Sequence, residues 1–161
     1  SGLISAGAQM ILVGSGDKEV EHNLVMASTT YPGRIGVQLD WERGLHHRVL
    51  AGSDLVLMPA RFDPCAVHQC QAMRYGALPV VRKTGGLADT VLDCLHGEMG
   101  TGFVFNEASA GELMLAVSRG INLFRNRSIW RRHQVQAMKR SWGWQASAKS
   151  HMEVYHRARL T

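Results

Sequence analysis

The fold follows from two consecutive stretches of the sequence, LVLMPARFDPC at 55–65 and LPVVRKTGGLADTV at 78–91. Each begins with an apolar run that is typical of a buried parallel strand, and each continues into a turn that precedes a predicted helix. In an open α/β sheet, ligands bind beyond the carboxyl ends of the strands, where the amides of helix N-termini point outward. The sequence therefore places the candidate ligand site at Asp63 and at Thr84-Gly85-Gly86.

The same alternation of strands and helices continues along the whole chain. Strands are predicted near 8–13, 35–39, 55–58, 78–81 and 102–105. Helices are predicted near 18–30, 42–51, 67–75, 87–94, 110–125, 129–140 and 145–159. Strands separated by short helices predict an α/β fold, a doubly wound parallel sheet with helices on both faces.

Length and composition describe one ordinary globular domain. The chain has 161 residues, of which 45% are hydrophobic and 19% are charged. It has no apolar stretch long enough to cross a membrane and no secretory leader, so we expect a cytoplasmic or plastid-stroma protein and no membrane partner. Cys65, Cys70 and Cys94 are odd in number and lack metal-site spacing, which predicts reduced thiols, with Cys70 and Cys94 as small buried residues.

The net charge of +5 and the pI near 9.5 raise the question of nucleic-acid binding. The basic residues concentrate in the C-terminal helices, within 125–159, where we expect solvated basic faces. No zinc-finger or RNA-binding signature accompanies them, so we predict no nucleic-acid partner. A mild attraction for phosphorylated ligands is the simpler interpretation of the charge.

Local chemistry leaves two interpretations open at each candidate turn. Thr84-Gly85-Gly86 lets the backbone approach a phosphate closely, or it is an ordinary turn before a helix. The carboxylate of Asp63 could accept hydrogen bonds from sugar hydroxyls or balance positive charge at an anomeric carbon, or it could be the N-cap of the next helix. Gly14-Ser15-Gly16 lacks the third glycine of a dinucleotide fingerprint, so a nicotinamide site is not predicted.

Further ordered segments accompany these two stretches: LVGSGD at 12–17, YPGR at 31–34, HR at 47–48, AGSD at 51–54, TGFVF at 101–105 and WGW at 142–144. Together they resemble bacterial glycogen synthases and plant starch synthases, above all the ADP-glucose-dependent type. Members of that family are retaining glycosyltransferases of the two-domain GT-B fold. They lengthen an α-1,4-glucan at its non-reducing end and need no metal.

The resemblance implies that residues 1–161 form a single nucleotide-sugar-binding domain, the Rossmann-like C-terminal half of a GT-B enzyme, with C-terminal helices over 110–161. It also implies that the first strand-helix unit of this domain and the N-terminal acceptor domain are absent from the sequence. We therefore expect the donor-binding half of a glycogen or starch synthase, inactive as an isolated fragment. Its implied partners are ADP-glucose or ADP, and an α-1,4-glucan held by the N-terminal domain, with no cofactor and no metal.

The resemblance also implies roles for individual residues. Asp63 stands where the family has a catalytic-site glutamate that contacts the glucosyl unit, and Trp41 stands where an aromatic side chain stacks on adenine. The implied donor sugar and phosphate contacts are Cys65, Ala66, Val67, His68, Thr84 and Gly85, and the implied nucleotide-binding residues are Trp41, Gly14 and Gly16.

The sequence departs from the family pattern at three of these positions. Asp63 is one methylene shorter than glutamate, Ala66 replaces a glycine, and His68 replaces a threonine or asparagine. These departures keep a second interpretation open, a degenerate non-catalytic module that binds a nucleotide sugar or a glucan. A third is another GT-B transferase that uses UDP- or GDP-sugars, although the helix after Asp63 offers Gln69 and Gln71 where such enzymes carry a second glutamate.

Overall fold

The computed structural model describes residues 2–65 and 67–159, with the side chain of His96 excepted. The strands are β1 Met10–Val13, β2 Ile35–Gln38, β3 Leu55–Met58, β4 Leu78–Arg82 and β5 Phe103–Phe105. The helices are α1 Gly2–Ser5, α2 Lys18–Thr30, α3 Arg43–Gly52, α4 His68–Tyr75, α5 Gly85–Thr90, α6 Ala110–Arg125, α7 Arg127–Lys139 and α8 Trp144–Ala158. The predicted alternation is confirmed, and α1 is an element that the sequence did not predict.

All of the described strand pairs are parallel, as predicted, but they form two sheets. β1 pairs with β2, with Met10 opposite Ile35. β4 lies between β3 and β5, with Leu55 opposite Leu78 and Val80 opposite Phe103. Within the described residues β1 and β3 do not pair with each other, so each keeps one edge free of strand partners. Parallel pairing brings the carboxyl ends of all strands of a sheet to the same edge.

Helices cover both faces of the three-stranded sheet. Successive side chains of a strand point to opposite faces, and the completely buried Val80 and Val81 of β4 show the two environments. Val80 packs in a cluster with Val117 of α6 and Trp130 of α7, whereas Val81 packs with Leu87 of α5. The doubly wound α/β class predicted from the sequence is therefore confirmed.

The predicted helix over 87–94 is wrong at both ends. The helix α5 begins at Gly85, with Thr84 as its N-cap residue, and it ends at Thr90 because Val91 is extended. After Val91 the backbone forms hydrogen bonds with the residues just before β5: the Thr101 amide donates to the Leu92 carbonyl at 2.8 Å. These long-range backbone bonds replace helical ones, so residues 92–94 run alongside 101–102.

A partly buried ion pair fixes the segment between α5 and β5. Arg119 of α6 donates to both carboxylate oxygens of Asp93 at 2.9 and 3.0 Å, and also to the Val104 carbonyl at 2.6 Å. Asp93 also accepts from the backbone amides of Leu95 at 2.8 Å and Val104 at 2.7 Å. The carboxylate thus satisfies a backbone donor of β5 and ties α6 to the sheet.

The C-terminal helices differ in how much they bury. α6 lies so close to β3 and β5 that a Cβ at Gly120 would meet the Leu55 side chain at 2.9 Å. Trp130 anchors α7 in the main core, but α8 has no buried residue. No helix in the described part of the chain combines the length and the apolar character needed to cross a bilayer.

Candidate active site

Two turns at the carboxyl ends of β3 and β4 are joined by the backbone. The amide of Gly86 donates to the carbonyl oxygen of Asp63 at 3.1 Å. Gly85 has φ +44°, in the left-handed region, and a Cβ built on it would overlap that same Asp63 oxygen. The close approach of the two turns therefore requires glycine at 85. This brings Asp63 and Gly85, 22 positions apart in the sequence, into direct contact.

Arg82, at the end of β4, stabilises the loops that form these two turns. Its guanidinium donates to the carbonyl of Arg61 at 2.5 Å and to the carbonyl of Asn106 at 3.0 Å. One side chain thereby connects the loop after β3, the end of β4 and the loop after β5. Because both acceptors are backbone atoms, Arg82 fixes the path of the chain just before Asp63 and just after β5.

Asp63 is not a helix cap. The helix α4 begins at His68, its N-cap residue is Val67, and no side chain caps it. Among the described residues, none makes a hydrogen bond or ion pair with the Asp63 carboxylate, which is partly exposed. The capping alternative raised by the sequence is thus wrong, and the carboxylate is available to a ligand.

The loop from Cys65 to His68 leads into α4 and is open to solvent. Cys65, Val67 and His68 are all exposed, and Ala66 lies outside the described residues. The first four amides of a helix have no intrahelical acceptor. A ligand beside this loop would therefore meet the backbone donors at the start of α4 together with the imidazole of His68.

Thr84 and Gly85 offer different groups to a ligand. The amide of Thr84 already donates to the Arg82 carbonyl at 2.9 Å, so this residue could reach a phosphate through its hydroxyl. The amide of Gly85 has no backbone partner within the described residues, and Gly85 is exposed. Of these two amides, the one at Gly85 is available to a ligand.

Trp41 lies just before α3 and is 55% exposed. A tryptophan that merely filled the core would be buried, so packing alone does not account for its position. Its ring centroid is 5.8 Å from that of His46, with 32° between the planes. The exposed indole face is available for stacking on a planar group.

The amides of the Gly14–Asp17 turn are bonded to the backbone of β2 and to a carboxylate of α2. The Gly14 amide donates to Gln38 at 2.9 Å, and the Gly16 amide donates to Glu21 at 2.8 Å. Hydrogen bonds from Lys18 and then from Gly16 hold the pKa of Glu21 below its usual range. Because both amides are engaged, neither is available to donate to a nucleotide. The two glycines could help to bind a nucleotide only by lacking a side chain, which leaves open space beside the turn. Their role stays a prediction.

The cysteines are all free, as predicted, but Cys70 and Cys94 are only partly buried, where the sequence analysis predicted buried residues. Burial, followed by the nearby Asp93 carboxylate, raises the pKa of Cys94 to about 12, and burial raises the pKa of Cys70 as well. Cys65, in contrast, is exposed. Among the described side chains, no group of three His, Cys, Asp or Glu residues is arranged to hold a metal ion.

Two residues of the site were not singled out from the sequence, Arg82 and His46. Arg82 could have been found, because a basic residue directly after a buried strand stands beside two candidate ligand turns. His46 carries no local signal, since its importance comes from contacts with residues of another helix.

The chain is similar to several solved structures, although no family model matches it. It superposes on the catalytic domain of starch synthase IV from Arabidopsis thaliana, bound to ADP and acarbose, with a TM-score of 0.83 and 28% identity. That match covers 98% of this chain and 34% of the other.

Two further structures share the fold at lower identity. For sucrose-phosphate synthase from Thermosynechococcus elongatus the TM-score is 0.63 at 18% identity, covering 99% of this chain and 42% of that one. For HepE from Anabaena in complex with UDP-glucose the TM-score is 0.64 at 22% identity, covering 85% and 38%.

The chain therefore spans about a third to two-fifths of the length of these proteins. All three are GT-B glycosyltransferases. The chain has a Rossmann-like half of the GT-B glycosyltransferase fold, and its predicted resemblance to the starch and glycogen synthases is confirmed.

Proposed function

We propose that this chain binds ADP-glucose and supplies the donor side of a retaining glucosyl transfer to the non-reducing end of an α-1,4-glucan. The observation that carries the proposal is the contact between the two ligand turns. Gly85 and Gly86 hold the backbone carbonyl of Asp63 in place. The carboxylate of Asp63 has no structural partner among the described residues. A polar side chain held by a rigid backbone but not used by the fold is typical of a ligand site.

The proposed site divides the donor among neighbouring groups. Trp41 stacks on the adenine, His68 and the Gly85 amide contact the diphosphate, and the backbone of Cys65, Ala66 and Val67 contacts the glucosyl hydroxyls. Several features support this: Trp41 and His68 are exposed and each lies against His46, and Gly85 is exposed beside Asp63. The starch synthase IV structure, similar over nearly the whole chain, contains ADP.

Asp63 is the proposed catalytic carboxylate. As the bond to the leaving diphosphate breaks, positive charge develops at the anomeric carbon and negative charge on the phosphate oxygens. A fixed carboxylate near the sugar stabilises the former, and fixed N–H donors stabilise the latter. Asp63 reaches about 1.5 Å less far than a glutamate would, and a displacement near 1 Å can cost on the order of 100-fold in rate.

The first experiment is a titration of the chain with ADP, in which binding is measured by tryptophan fluorescence and by calorimetry. Trp41→Ala should weaken binding by about 1–3 kcal/mol, the range found for base stacking on aromatic side chains. Trp144→Ala is the matched control, because Trp144 is 85% exposed on α8, a helix that has no buried residue. Equal affinity of wild type and Trp41→Ala would refute the stacking role, and no binding at all would refute the proposal for this chain.

The second experiment tests turnover. The isolated chain is proposed to be inactive because the acceptor site belongs to a further domain, so Asp63 is tested in a chimera with the acceptor domain of a complete glycogen synthase. Asp63→Glu should raise kcat by restoring reach, and Asp63→Asn should remove most of the turnover while sparing ADP affinity. A kcat for Asp63→Asn within a factor of about two, ~0.4 kcal/mol of barrier, would favour the non-catalytic binding module.

The alternative to ADP-glucose as the donor is a UDP-sugar. A UDP-sugar donor has a specific observation in its favour, since HepE, which has the same fold, was solved with UDP-glucose. Titration with UDP under the same conditions distinguishes the two. Tighter binding of UDP than of ADP would move the chain to the UDP-sugar transferases.

A further inference from the structure

His46 stands at the centre of a group of aromatic rings that connects two parts of the proposed donor site. On one side, its ring lies 5.8 Å from Trp41. On the other, it lies 4.9 Å from His68, with the two planes at 68° in an edge-to-face arrangement. Within the described residues, His46 is the ring that both Trp41 and His68 contact.

The position of His46 is itself fixed by the neighbouring helix. Its Nε2 lies 3.3 Å from the side-chain oxygen of Gln71 in α4. Because that oxygen accepts, Nε2 carries the hydrogen. α3 and α4 pack together, and His46 is partly buried between them. The imidazole is therefore held at one edge by a hydrogen bond, and its ring also contacts those of Trp41, His68 and His47.

The neighbouring histidine has different contacts. The Nδ1 of His47 is 3.2 Å from the hydroxyl of Tyr75, and the two rings are 5.9 Å apart. His47 has partial burial similar to that of His46 and lies on the same helix. Its ring also lies 5.8 Å from that of His46. Because the described ring contacts of His47 include neither Trp41 nor His68, His47→Ala removes one ring beside His46 and leaves the contacts of His46 with Trp41 and His68 in place, which makes it the control.

We propose that His46 is a positioning residue that couples Trp41 to His68, so that the base-stacking ring and the phosphate-facing imidazole take up their orientations together. Two exposed side chains that had to be ordered separately on binding would each lose rotamer freedom, which weakens binding. A ring wedged between them restricts both before the ligand arrives. The role in binding rests on the proposed function, whereas the coupling is a property of the chain without ligand.

The coupling is tested first in the ligand-free chain by NMR, through the indole N–H signal of Trp41, assigned with Trp41→Phe. His68→Ala should shift this signal in the wild type. In a His46→Ala background the same substitution should leave the signal in place, and in a His47→Ala background it should shift it as in the wild type. A Trp41 signal that ignores His68→Ala in the wild type, or that responds equally without His46, overturns the proposal.

The second measurement is ADP affinity. His46→Ala should weaken binding roughly 2- to 12-fold, the equivalent of one aromatic pair contact at about 0.5–1.5 kcal/mol. His46→Phe, which keeps a ring but loses the bond to Gln71, should recover most of this loss. In a Trp41→Ala/His68→Ala background, His46→Ala should cause no further loss, because its partners are gone. A full further loss in that background would show that His46 acts independently of them.

The two measurements separate the proposals. If ADP does not bind the wild type but the NMR coupling is present, the proposed function fails for this chain and the positioning role of His46 stands. If ADP binds the wild type and the NMR coupling is absent, the proposed function stands and the positioning role of His46 fails. Urea unfolding of each variant shows whether it is folded, and His46→Phe provides the decisive comparison if His46→Ala is not.

Discussion

Substituting Gly85 by alanine tests whether the two turns of the site are held together as described. Gly85 has φ +44°, and its added Cβ would overlap the carbonyl oxygen of Asp63. Neither problem can be relieved by rotating a side chain, because both involve backbone. The loop that carries Asp63 must therefore move away, and the hydrogen bond from the Gly86 amide to Asp63 is lost with it.

The expected cost has two parts. A non-glycine residue in the left-handed region costs about 1–2 kcal/mol. The lost backbone hydrogen bond costs about 0.5–1.5 kcal/mol. Gly85→Ala should thus lower the free energy of unfolding by about 1.5–3.5 kcal/mol, which for a chain of this length lowers Tm by roughly 3–14 °C.

The neighbouring glycine provides the control. Gly86 is also in α5, but its Cβ would meet Cys65 at an ordinary 3.4 Å. Gly86→Ala should leave the free energy of unfolding unchanged or raise it by up to about 1 kcal/mol, the helix-propensity gain of alanine over glycine. Urea unfolding followed by far-UV circular dichroism measures both. Equal stability of the two variants would refute the close contact between the turns.

Three further predictions concern single groups. Arg82→Met should lower the free energy of unfolding by about 1 kcal/mol, because two hydrogen bonds to backbone carbonyls are lost; an unchanged urea midpoint would show that they add no stability. Asp63→Ala should change the free energy of unfolding by less than about 0.5 kcal/mol, whereas a loss of about 1 kcal/mol in the same assay would indicate a capping role after all. Iodoacetamide near pH 8.5, the usual thiol pKa, should alkylate Cys65 well before Cys94, as followed by mass spectrometry, because Cys94 keeps its proton in the folded state up to a pKa of about 12. Since the unfolded thiol ionises first, the contribution of Cys94 to stability is complete below about pH 8.5 and is lost as pH rises toward 12; similar alkylation rates for the two thiols would contradict this.

Local sequence patterns were enough to predict the alternation of strands and helices and the location of the two turns of the candidate site. These follow from local properties: apolar runs at 55–58 and 78–81, glycines at 85 and 86, and helical patterns between them. The error at 87–94 has the opposite origin. Residues 92–94 have helix-compatible side chains, but backbone bonds to 101–102 compete successfully with helical ones.

Which groups at those turns are available depends on how the strands and helices pack together. The carbonyl of Asp63 is used by Gly86, while its carboxylate is left free because α4 begins later, at His68. The Thr84 amide is engaged, and the role of Arg82 depends on acceptors in two separate loops. Such pairings join residues far apart in the sequence, and their geometry depends on how sheet and helices pack. The contact of His46 with Trp41 and His68 is of the same kind, because it exists only where α3 lies against α4.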